Sequence, residues 1–193
     1  MGLSRICIVF RRGASFVVML VMFLIIPRGY AAEPPCDLHD VPASVQQVVH
    51  ETFPEWRIWD LTDLTDEDRA WWLKRDARSS CPGLAIGHFL SKKHLAYAMF
   101  LIPKDSSQEG WRLVVIDHGM NNSDTLTILE RTDSYRRPFY LWTAPPATYS
   151  YVDEDAFSKA LVIRLDSVGV IAYEGRLLWY WVKGQFHSLF LAD

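Results

Sequence analysis

The chain has few cysteines, no surplus of basic charge and no apolar run long enough to span a bilayer comfortably. Three of its 193 residues are cysteine, and none form a Cys-x-x-Cys pair, so a close-spaced thiolate metal site has no support. Lys and Arg total 20 against 23 Asp and Glu. Nucleic-acid binding leans on basic surface, so that class is disfavoured. The main apolar run, Ala14 to Ile26, is 13 residues long, short of a transmembrane helix. The acidic stretch Asp60–Asp68 lacks the Asp-x-Asp-x-Asp-Gly pattern of a calcium loop. Nothing marks a nucleophile elbow or an oxyanion hole, and there are no repeats or low-complexity tracts.

What is present at the N-terminus is an export signal. Arg5, Arg11 and Arg12 form a basic region, Ala14 to Ile26 the apolar region, and Gly29-Tyr30-Ala31 a small-residue cleavage site. Residues 1–31 read as a signal peptide cut after Ala31, with a retained anchor as the alternative. Residues 32–193 read as one domain. The leader carries four arginines and no acid, so its removal takes the formal net charge from −3 to −7. An acidic export product suits a basic protein partner. Cys36 and Cys81 then remain, an even pair in an oxidising compartment, which predicts a disulfide. It would close a loop of about 46 residues and contribute roughly 4 kcal/mol in the chain-entropy account.

Along the mature chain, Val41 to Phe53 predicts a helix with Pro42 in its first turn and a Val45, Val48, Val49 stripe; Ser44 is an alternative cap. Trp56 to Leu61 reads as a short strand. The acids that follow fit helix capping better than metal: Thr65 as N-cap, Asp68 as the box residue, and a helix to about Ala77 that buries Trp71 and Trp72. Cys81-Pro82-Gly83 is a turn. Leu84–Leu90, Leu95–Pro103, Trp111–Asp117 and Thr125–Glu130 read as strands. His88 and His94 flank a turn without a third ligand, which is weak evidence for metal. Asp117, His118 and Ser123 contain the residue types of a triad but none of its context.

The last third divides in two. Thr132 to Asp155 is irregular, rich in aromatics, arginine and proline. Tyr135, Arg136, Arg137, Tyr140, Trp142, Tyr149 and Tyr151 are types that dominate binding hot spots and form the candidate partner-binding set; the alternative is that the rings cover the sheet. Phe139–Thr143 is a strand candidate within it. Ala160–Tyr173, Arg176–Val182 and Gln185–Leu191 form an antiparallel meander, turning at Glu174-Gly175 and Lys183-Gly184. Both faces of the middle run are apolar, which makes it central. Trp179 and Trp181 read as core, with a ligand platform as the alternative. Gly169 marks a bulge or bend.

Phe53-Pro54-Glu55-Trp56-Arg57, Cys81-Pro82-Gly83-Leu84-Ala85-Ile86-Gly87 and Tyr180-Trp181-Val182-Lys183-Gly184-Gln185-Phe186 resemble a loose group of exported bacterial proteins of uncharacterised function. The resemblance covers most of the mature chain and brings no catalytic residues. The expected fold is α+β: two N-terminal helices packed on a mostly antiparallel sheet of six to eight strands. The expected function is that of an exported, periplasmic binding protein of the inhibitor or immunity type, without catalytic residue, cofactor or metal, and with no membrane anchor after cleavage. The alternatives are an envelope hydrolase with an unrecognised site and a structural or assembly factor of the envelope.

Overall fold

The structure is a computed structural model and describes residues 36, 38–75, 81–119, 123–133, 140–152, 158–172 and 175–191. Among the described residues two ten-residue helices, α1 (Ala43–Thr52) and α2 (Asp66–Arg75), accompany eleven strands. The strands are β1 (Trp56–Ile58), β2 (Leu84–Gly87), β3 (Ala96–Pro103), β4 (Trp111–His118), β5 (Asp124–Thr132), β6 (Tyr140–Ala144), β7 (Ala147–Val152), β8 (Ser158–Ile163), β9 (Ser167–Ala172), β10 (Gly175–Val182) and β11 (Gln185–Phe190). The expected α+β class is therefore wrong. Strand is dominant, the helices are a minor component, and they lie within residues 43–75 and not at the N-terminus. Two readings contribute to the undercount. The segment read as irregular holds β7 beside the strand candidate that forms β6, and the run read as one strand from Ala160 to Tyr173 is two, broken at residues 164–166.

β3 organises the first sheet. All eight of its residues are buried, because both faces are covered. Its edge is shared by two short strands laid end to end: β1 pairs with Leu101–Pro103 and β2 with Ala96–Met99. At the junction the Phe100 amide donates to the Gly83 carbonyl, and the Phe100 carbonyl accepts from the Trp59 amide. The chain comes so close here that a Cβ on Gly83 would lie 2.4 Å from the Trp59 carbonyl oxygen, which only glycine permits. The Cys36–Cys81 disulfide forms as expected, its Cα atoms 4.7 Å apart, just ahead of this junction. On the other side β4 and β5 follow in antiparallel order; a register shift between Leu113 and Val114 leaves Leu129 as the extra residue of a bulge,.

The second sheet runs β11-β10-β9-β6 and confirms the C-terminal meander, with β10 central. Lys183 and Gly184 take φ of 50° and 82°, the two positive values of a type I′ hairpin turn. β6–β7 and β8–β9 form one long antiparallel ribbon. Its near half pairs Tyr140–Ala144 with Ser167–Ile171, its far half Ala147–Val152 with Ser158–Ile163. It bends at Pro145-Pro146, where Pro cannot donate to a ladder. A bridge from Tyr151 to Leu191 ties the far half to the end of β11.

Three apolar clusters result. Ala96, Ala98 and Phe100 of β3 with Leu113 and Val115 of β4 meet Leu141, Val168 and Val170 of the second sheet, and Trp72 of α2 joins them. On the opposite face of the first sheet, Tyr97, Met99 and Leu101 receive Val45 and Val49 of α1, so the valine stripe packs as its spacing predicts. Ala144, Ile163, Leu178 and Leu189 form a third cluster inside the bent ribbon. The two sheets are stitched where β2 meets β6: the Leu141 amide donates to Pro82 O at 2.8 Å, and Thr143 Oγ1 to Ile86 O at 2.8 Å.

Candidate functional site

The aromatic residues proposed from sequence are not a single surface. Tyr135, Arg136 and Arg137 lie outside the described residues. Tyr140 is buried, its ring centroid 5.3 Å from Trp71 and 4.8 Å from Trp72. Trp142 points to the other side of β6 and lies flat over Gly169, where an added Cβ would come within 2.2 Å of the indole. Gly169 is thus a seat for a ring and not a bulge, since the register through it is unbroken. Tyr149 and Tyr151 join Trp142 against the third cluster. The Tyr149 hydroxyl donates to Pro145 O, and burial raises its pKa, with Asp166 adding to the effect. Three of the four described members converge; Tyr140 belongs to the first cluster.

The face of β10–β11 turned toward the first cluster is more open. Its directly opposed pairs are Leu177 with Phe190, Trp179 with Ser188 and Trp181 with Phe186. Trp181 and Phe186 meet edge to face with centroids 4.9 Å apart. Leu177, Trp179 and Phe186 are half-buried against the cluster, but Phe190 is 55% exposed. The core reading of Trp179 therefore holds in part, and the row continues into solvent at Phe190. Of the helical tryptophans expected to be buried, Trp72 is 1% exposed and Trp71 45%.

A groove of about 330 Å³ lies between α1 and β1. Leu38, Val49, Ile58 and Met99 line it with Cys36 of the disulfide, and Gln46, His50, Arg57, Asp60 and Lys104 supply its polar atoms. Trp56 forms one wall and holds the Arg112 guanidinium 4.5 Å from its ring centroid. Local spacing does not mark this groove, because its lining is drawn from α1, β1, β3, the disulfide segment and the loop that begins at Lys104. Arg57 is held by a bidentate contact with Asp63, which raises its already high pKa.

Histidine and aspartate pair twice at one end of the first sheet. His94 Nδ1 is 2.8 Å from Asp117 Oδ1, and His118 Nδ1 is 2.6 Å from Asp124 Oδ1. Asp117 and His118 are neighbours on a strand and point to opposite faces, so they serve different pairs and no triad with Ser123 is assembled from them. His88 Nδ1 contacts His94 O at 3.0 Å. Among the described residues no group of three or more His, Cys, Asp or Glu is placed to hold a metal, and no helix is long and apolar enough to cross a membrane. Compared with known protein families, with characterised proteins and with solved structures, the chain matches none.

Proposed function

We propose that this protein is an exported binding protein of the inhibitor or immunity type, working outside the cytoplasm on a basic protein partner, in keeping with the exported group it resembles. The observation that supports this most is the apolar row on β10–β11, half-buried at Trp181 and Phe186 and opening at Phe190. Exposed aromatics on a rigid ladder lose little entropy on docking and are the types that dominate binding energy. The disulfide fits an oxidising compartment,. Tyr135, Arg136 and Arg137 belong to the same proposal as contacts beyond the described residues. Trp142 does not, because truncating it would empty the seat over Gly169 and disturb the fold.

Phe190→Lys tests the reading. The side chain is exposed, so the fold should be retained, while a cation is placed where a basic partner docks. Native mass spectrometry of the protein gently isolated from its own envelope should show a defined additional basic protein with the wild type and lose it with the variant. A wild type that carries no partner, or a variant that carries the same one, rejects the proposal.

One observation favours a hydrolase as second reading. Each His–Asp pair holds an imidazole through Nδ1, the arrangement that orients a general base. Turnover of cell-wall or ester substrates by the wild type, lost in His94→Ala, would decide for it.

A further inference from the structure

We propose that the groove between α1 and β1 binds a small amphipathic monoanion, an unbranched alkyl carboxylate being the simplest case. The groove is apolar at its base, where Val49 and Met99 are buried and Leu38 and Ile58 half-buried. Most of its polar groups already have partners. Arg57 is paired with Asp63 and Asp60. Asp60 accepts from Thr62 N at 2.7 Å and Thr62 Oγ1 at 2.6 Å. Gln46 Nε2 donates to Leu38 O and Val41 O.

Lys104 differs. Its ammonium reaches only the Pro54 carbonyl, at 2.5 Å, and meets no carboxylate among the described residues. The groove thus offers an apolar floor with a lysine at its rim that no carboxylate among the described residues pairs. A cation would face Lys104, a neutral alkane would leave it unmatched, and a second negative charge would meet Asp60 and the acidic chain. An apolar chain ending in one carboxylate satisfies both features, and about 330 Å³ is at the small end of ligand sites,. The site lies on the α1 side of the first sheet, away from the β10–β11 row, so the two proposals stand or fall separately.

Sodium octanoate and octan-1-ol are suitable probes, followed through methyl resonances of the disulfide-intact protein. Octanoate should shift Val49, Ile58 and Met99. Lys104→Met, an exposed substitution that keeps the apolar stem, should weaken octanoate about tenfold, the loss of one charge-assisted contact at a solvated rim. It should leave octanol unchanged, and Lys104→Arg should restore octanoate. No shift at millimolar probe, shifts away from these methyls, or an octanoate-to-octanol ratio unaffected by Lys104→Met would overturn the proposal.

Discussion

A Cβ built on Gly169 meets the Trp142 indole at 2.2 Å, closer than any real packing contact. Gly169→Ala should therefore destabilise by ~1–3 kcal/mol, as overpacking does. In a Trp142→Ala background the same substitution should cost less, because the ring it strikes is gone. Urea midpoints of the four proteins in this cycle measure the coupling, and strictly additive losses would contradict the contact. The sequence marks Gly169 as special but not why. Glycine in a strand serves a bulge or a close neighbour equally well, and the neighbour comes from a strand some thirty residues away that local spacing does not reveal. Gly83 is similar: its place in a turn was legible, and its contact with Trp59 was not. Thr65 was fully legible, because an N-cap is read from adjacent residues.

That cap gives the first test at the scale of elements. The Asp68 amide donates to Thr65 Oγ1 at 3.2 Å, and the hydroxyl donates back to Asp68 Oδ2 at 2.6 Å. Thr65→Ala should cost about 1 kcal/mol, seen as a lowered denaturation midpoint with an unchanged slope. The sequence placed both helices and most hairpins, since each is announced within a dozen residues by a cap, a stripe or a turn pair. It did not place the bent ribbon. Pro145-Pro146 hides the continuation from β6 to β7, because a proline pair stops a ladder without saying whether the strand resumes,. The pairing of β6 with β9 and β7 with β8 is fixed by the third cluster, whose members are spread from Trp142 to Leu191. Hot-spot composition and core composition coincide, so the aromatic segment alone does not say which rings pack, and only the ribbon's two faces separate Tyr140 from Trp142.

Across the whole molecule, Glu130 supplies the electrostatic test. It sits on β5 directly opposite buried Leu113, and burial raises its pKa. The folded state therefore holds this proton more tightly than the unfolded chain. Its contribution is neutral below the unfolded value of about 4.3 and becomes destabilising as pH rises through the folded value. Glu130→Gln should be more stable than wild type at pH 7, with the advantage fading toward pH 4; paired denaturation curves at the two pH values check this, and an equal difference at both would refute it.

The disulfide acts at this scale as well. Reducing it should lower stability by roughly 4 kcal/mol, measurable as a drop in melting temperature, and it frees the Cys36–Leu38 wall of the groove, so any ligand held there should be released with it.

The end-to-end placement of β1 and β2 also orders assembly in time. Everything the Cys36–Cys81 bond encloses lies upstream of β3, so the bond can close before that strand has found its place. An oxidised chain begins with residues 36–81 already closed into a loop, with fewer unfolded conformations to search,. A reduced one must bring β1 and β2 to β3 from a wider ensemble, and pairing across long separations is slow. During that delay β3, apolar on both faces, stays open to strangers. The bond is thus a chaperone of its own chain before it is a brace of the finished protein.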